Sequence, residues 1–150
     1  MRPRAQVDRR KPRLLIRAAL GAVVFLGAVE VAVRASGMTD FPTYIVDDAF
    51  GYLYAPNQSG VFQNRNRWYF NDRSMPVERN WQPGRAPDLL IIGNSIVAGG
   101  NPYDQSRKLT ALLETRLGTR FALWPIAVGG WSTVNAIGYL ERHPDVVNAA

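Results

Sequence analysis

The chain has no cysteine and a single histidine, His143. The first absence excludes a disulfide framework, zinc–thiolate sites and thiol nucleophiles together. The second leaves no set of imidazoles for a metal centre. A basic binding face is missing too, although the net charge is +6. Residues 1–17 hold Arg2, Arg4, Arg9, Arg10, Lys11, Arg13 and Arg17 against Asp8 alone, which accounts for the whole excess. The remaining residues carry 11 basic and 11 acidic side chains, so a nucleic-acid partner is not expected. With 150 residues, 47% apolar and 20% charged, the chain has room for one modest domain. It is neither a disordered polymer nor a multi-span membrane protein.

The chain does hold a long apolar run near its start. Residues 14–33 read LLIRAALGAVVFLGAVEVAV, with only Arg17 and Glu30 charged, each within about one turn of an end. As a helix this run spans roughly 30 Å, the hydrocarbon thickness of a bilayer. The basic cluster on its N-terminal side predicts a cytoplasmic N-terminus and an exported remainder, periplasmic in a bacterium with two membranes. A cleaved signal peptide is the rival reading, because Val33-Arg34-Ala35 loosely fits a small-x-small site. Both readings export the rest of the chain. The expected organisation is a basic cytoplasmic tail (1–13), a single-pass signal anchor in the inner membrane (14–34), an aromatic, loop-rich collar (35–86) and an α/β segment (87–150).

The collar is dense in turn formers and in aromatics, among them Tyr44, Phe50, Tyr52, Tyr54, Trp68, Tyr69 and Phe70. Residues 60–63 and 67–70 suit short strands, and no helical periodicity is sustained. An irregular collar pinned by aromatics is expected. The tract Trp68-Tyr69-Phe70 suits packed core, and lipid headgroups or a sugar chain are its other candidate partners. Asn57-Gln58-Ser59 matches a glycosylation sequon, a pattern common by chance.

From residue 87 the texture changes. Asp88 is followed by the apolar run Leu89-Leu90-Ile91-Ile92, as in a strand buried in a parallel sheet, and the run ends in Gly93-Asn94-Ser95. Residues 106–117 have helical spacing and stop at Gly118. Residues 121–128 make a second apolar strand that ends in Gly129-Gly130. A second helix is expected from Ser132 or Thr133 to about Arg142, broken by His143-Pro144, and Asp145-Val146-Val147 reads as the start of a third strand. Strand–helix–strand–helix–strand predicts a flavodoxin-like three-layer α/β/α parallel sheet, incomplete in this chain. Ligands of such sheets sit at the carboxyl ends of the strands, where both glycine turns fall.

The first turn fits none of the common glycine motifs. A phosphate loop fails because Ala98, Gly99 and Gly100 stand where glycine, lysine and serine or threonine are needed. The dinucleotide fingerprint fails at Ser95, and the α/β-hydrolase nucleophile elbow fails at Val97. No cofactor and no metal is expected. There remains a serine on a tight strand-to-helix turn, its amide at a helix start where partial positive charge favours an oxyanion.

Asp88-Leu89-Leu90-Ile91-Ile92-Gly93-Asn94-Ser95-Ile96 resembles the first block of the SGNH/GDSL hydrolases, whose signature is Gly-Asp-Ser at the end of the first strand. Ile126-Ala127-Val128-Gly129-Gly130-Trp131-Ser132 resembles their second block. Phe50-Gly51-Tyr52, Pro56-Asn57 and Tyr69-Phe70-Asn71 resemble the stretch ahead of the domain in membrane-anchored bacterial members. The resemblance covers about residues 47–150. It implies that Ser95 is the nucleophile and an oxyanion N–H donor, and that Gly130 gives the second oxyanion N–H. The implied activity is an esterase or O-acyltransferase acting on ester groups, acetyl above all, of a small molecule or an envelope polysaccharide.

The sequence departs from the family in three ways. Asn94 replaces the aspartate, Trp124-Pro125 stand where asparagine often precedes the second block, and the blocks supplying an oxyanion asparagine and the Asp-x-x-His base are not in these 150 residues. His143 follows Glu141-Arg142 at a helix end, far from where the family places its base. The chain is thus expected to be the N-terminal part of a longer enzyme, inactive by itself. The competing expectation is a non-catalytic, membrane-anchored glycan-binding or scaffold module in which Ser95 only forms a turn.

Overall fold

The computed structural model describes residues 10–84 and 87–149. Helix α1 runs from Arg10 to Ala35, and the most apolar 18 residues within its stretch Arg13–Ala35 have a mean hydropathy of 2.1 and are not buried by protein. It is long and apolar enough to cross a membrane. Its late charges satisfy each other, since Arg34 Nε meets Glu30 Oε1 at 2.6 Å one turn back. This helix, with the residues up to Ser36, forms one compact unit, and the chain from Gly37 onward forms another.

Among its described residues the second unit is a mixed α/β fold of three two-stranded sheets. The collar is more regular than its composition suggests. Strands β1 (Tyr44–Asp47) and β2 (Gly51–Tyr54) pair antiparallel, as do β3 (Gln58–Phe62) and β4 (Asn66–Phe70). The first hairpin closes through an Asp47 carboxylate that accepts from the Ala49 amide at 2.8 Å, with Gly51 at φ +85°. Along β4 the faces alternate. Asn66, Trp68 and Phe70 are buried, Arg67 is exposed, and Tyr69 is half-buried on the opposite side.

Strands β5 (Asp88–Gly93) and β6 (Ala122–Ala127) form the parallel pair, in a register that sets Leu90 opposite Trp124 and Gly93 opposite Ala127. The crossover between them carries the one-turn helix α2 (Ser95–Ala98), a 3-10 turn at Gln105–Arg107 and helix α3 (Leu109–Leu117). After β6 come the Gly129-Gly130 turn and α4 (Thr133–Arg142). Asn135 Oδ1 holds the start of α4, accepting from both the amide and the hydroxyl of Ser132 at 2.8 Å.

Residues 145–147 are not a strand. They belong to a short helix α5 (Pro144–Val147). Pro144 at its first position supplies a helical φ without needing its absent N–H, and Asp145 favours the first turn. Val146 turns fully inward, while Asp145 pairs with Arg73 at 2.8 Å.

One core serves the whole unit. Phe50, Tyr54, Trp68 and Met75 from the collar pack in the same buried cluster as Trp124, Ile126 and Tyr139. Tyr54 stacks on Phe70 at 4.1 Å between ring centroids, and Trp81 meets Trp124 edge-on at 4.7 Å. The parallel pair is therefore stabilised largely by collar aromatics.

Candidate functional site at the carboxyl ends of the parallel strands

The site is built by two turns on neighbouring strands. Gly93 ends β5, and a Cβ there would overlap Val97, so α2 can fold back over the strand end only because this residue is glycine. Asn94 is extended at φ −107° and caps α2, its Oδ1 accepting from the Ile96 amide at 3.1 Å. A neutral side-chain amide thus holds the turn. Ser95 is the first helical residue and is exposed. Neither its hydroxyl nor its N–H has a hydrogen-bond partner among the described residues. Because α2 is a single turn, it offers that N–H rather than an appreciable macrodipole.

Gly130 sits on the adjacent strand end. The register Gly93–Ala127 carries both turns past the ends of strands about 4.8 Å apart. Trp131 N donates to Val128 O at 3.2 Å to close the turn, and Gly130 is exposed at φ +85° with its own N–H unpaired among the described residues. The structure thus brings Ser95 and Gly130 to neighbouring strand ends and leaves both amides unspent.

The collar reaches this site through tyrosines. Tyr52 Oη donates to Gly129 O at 2.6 Å, and the Tyr52 carbonyl accepts from Trp131 Nε1 at 2.8 Å. Burial and the neighbouring Tyr44 phenol push the Tyr54 phenol well above the usual tyrosine range, and the Gly129 amide only partly offsets this. The Gly129 carbonyl is thus engaged by the Tyr52 phenol. Nothing in the local sequence announces this contact, which joins residues 77 positions apart.

Two further groups escaped sequence reasoning. Lys108 is buried at 4% exposure, its stem laid against Gly99 (φ +76°) in the loop after α2. Burial pushes its ammonium down to about 8, against a weaker opposing pull from Asp104. Asp104 itself accepts from the Ser106 hydroxyl at 2.7 Å and from the Arg67 amide at 2.9 Å, bonds that hold its carboxyl at about 2.

His143 stands at the far end of α4, about 15 Å along the helix from the strand ends. Its ring lies 4.3 Å from that of Tyr139, and burial lowers its pKa. It is a packed helix-end residue. Among the described residues no group of three histidine, cysteine, aspartate or glutamate side chains is placed to hold a metal ion. Comparison with protein-family models, with curated proteins and with solved structures yields no match for this chain.

Proposed function

We propose that the chain carries the nucleophile-bearing part of an exported, membrane-anchored serine esterase or O-acyltransferase of SGNH/GDSL type, acting on ester groups, acetyl above all, of an envelope polysaccharide. One observation supports this best: an exposed serine with a free hydroxyl and a free amide stands at the end of β5, beside a Gly130 amide that is equally free at the end of β6. In the reaction the Ser95 hydroxyl attacks the ester carbonyl and its proton passes to a base. The carbonyl oxygen gathers negative charge between the amides of Ser95 and Gly130, and the alcohol leaves with a proton as the acyl-enzyme forms. Water as acceptor then makes an esterase, and a sugar hydroxyl makes a transferase. In enzymes of this type the base comes from an Asp-x-x-His block, a pattern these 150 residues do not contain. The flavodoxin-like sheet, the cytoplasmic N-terminus and the periplasmic placement of residues 36–150 are parts of the same proposal.

The test uses membranes of cells expressing the gene from its natural locus. A fluorophosphonate probe is expected to label the product, and Ser95→Ala is expected to abolish labelling without loss of protein. Labelling that persists in the alanine variant removes Ser95 as nucleophile. A product that never labels points to the second reading, a non-catalytic glycan-binding or scaffold module in which Asn94 caps the turn and Ser95 only opens α2.

A further inference from the structure

The tract Trp68-Tyr69-Phe70 suits lipid by composition, but Trp68 and Phe70 are spent in the core. The exposed apolar side chains of the collar lie elsewhere. Phe41 is 54% exposed, Tyr44 51% and Val46 85%. Scattered single residues of this kind are ordinary on a protein surface, whereas a contiguous patch marks a contact.

These residues are contiguous. Phe41 packs on Phe62 at 4.9 Å between ring centroids, and Tyr44 stacks on Tyr54 at 4.7 Å. Phe41, Tyr44 and Phe62 line one cavity of about 420 Å³ together with Gly100-Asn101-Pro102 of the loop after α2. Val46 follows Tyr44 by two positions on β1 and so shares its face.

The chain enters the unit beside this patch. Only Ser36 stands between Ala35, the last residue of α1, and Gly37. The Gly37 carbonyl accepts from the Gln63 amide at 2.9 Å, and Gln63 is the neighbour of Phe62. A Cβ on Gly37 would overlap Asn64, so only glycine lets the entering chain lie against the β3–β4 turn.

The backbone of the patch suits surroundings poor in water. The Phe41 amide donates to Thr39 O at 3.1 Å, and Pro42 has no N–H to satisfy. Gln58 serves both polar groups of Thr43, its Oε1 accepting from the amide and its Nε2 donating to the carbonyl, each at 2.9 Å. The Asp40 carboxylate, beside Phe41, is occupied by the Val61 amide. Unmet backbone donors bar a loop from an apolar layer, and those of residues 41–43 are met.

We propose that this face docks on the lipid bilayer that α1 enters, with Phe41, Tyr44 and Val46 in the boundary between headgroups and acyl chains. The short connection to α1 holds the patch near lipid at high effective concentration, so the face needs little affinity of its own. The proposal rests on α1 crossing the bilayer and is independent of Ser95.

Because the chain has no cysteine, single labelling sites can be introduced without background. The full chain carrying Phe41→Cys, Val46→Cys, Val24→Cys or Arg116→Cys is labelled with a nitroxide and reconstituted in phosphatidylethanolamine–phosphatidylglycerol vesicles. Power-saturation EPR then compares collisions with oxygen, which concentrates in lipid, and with a water-soluble nickel chelate. Position 24 in α1 is the lipid reference, and exposed position 116 on α3 is the water reference. Labels at 41 and 46 are expected to meet nickel several-fold less often than the label at 116, and oxygen several-fold more often. Phe41→Asp is expected to raise nickel collisions at position 46 several-fold, because the layer disfavours a charge. Water at 41 and 46 with lipid at 24 overturns the docking alone, while water at 24 overturns the anchor with it. Poor access of both reagents at 41 and 46 means that protein covers the face, as a second copy would, and overturns the proposal too. Position 46, the more exposed, decides if Phe41→Cys fails to fold.

Discussion

The phenol of Tyr52 and the carbonyl of Gly129 are joined at 2.6 Å across 77 positions of sequence, and the joint leaves no room for a side chain on the next residue. A Cβ on Gly130 would lie 2.5 Å from Tyr52 Oη, at a φ of +85° that side chains rarely adopt. Gly130→Ala is therefore expected to destabilise the unit by about 2 kcal/mol or more, a positive-φ penalty plus a clash. Tyr52→Phe alone is expected to lose about 1 kcal/mol, one net hydrogen bond. Thermal melts of both variants and their combination check the geometry: the double variant is expected to lose less than the two singles together, because removing the hydroxyl removes the clash.

Asn94 and Ser95 are neighbours with opposite expected behaviour. Asn94→Ala removes the cap on α2 and is expected to reduce stability by about 1 kcal/mol. Ser95→Ala alters an exposed residue whose hydroxyl has no partner among the described residues, so its stability is expected to stay within about 0.5 kcal/mol of the parent in the same melts. A large loss from Ser95→Ala would show that the hydroxyl holds the turn together.

Stability is expected to rise with pH before it falls. Lys108 titrates at about 8 in the folded chain and at about 10.4 when unfolded, so between those values only the unfolded state binds the proton. Raising the pH through that window then favours folding. Tyr139, pushed up to about 12 by burial, and Tyr54, raised likewise, act in the opposite sense once the pH passes about 10: the unfolded phenols ionise first, which favours unfolding. Melts across the alkaline range are expected to peak at about pH 10, where the lysine gain gives way to the tyrosine loss. Lys108→Met is expected to raise the melting point at neutral pH and to flatten the ascending limb.

The segregation of charge along the chain makes a topological prediction. A phosphatase reporter fused behind residue 150 is expected to be active outside the cytoplasm, and a reporter that works only inside is expected to be silent. Replacing the arginines at positions 2, 4, 9 and 10 with glutamine is expected to lower the fraction correctly oriented. Reporter activity inside the cytoplasm would remove both the anchor and the envelope substrate.

Much of the local order could be read from the chain itself, because it rests on nearest neighbours. The apolar runs of β5 and β6, each closed by a glycine turn, announce a parallel pair, and the pattern from Thr133 to Arg142 announces α4. The candidate site was visible to the extent that both turns fall at strand ends. Residues 145–147 misled because β-branched valines outweighed Pro144, whose ring had already set a helical φ. The β1–β2 hairpin, the Tyr52 contact with Gly129 and the burial of Lys108 had no local signal. Each depends on a partner far along the chain or on what happens to pack above it.

The core shared by the collar and the parallel strands also dictates an order of events during synthesis. Asn135 reaches the Phe50 carbonyl across 85 residues, and the missing side chain of Gly138 lets the Ala49 carbonyl approach α4. At roughly 5–20 residues per second, the collar leaves the ribosome several seconds or more before the helix that closes over it. Phe50 spends that interval without the Tyr139 ring it packs against. The nascent chain thus presents an aromatic surface that a holding chaperone can grasp, and it releases that surface only when residues 133–142 have been made.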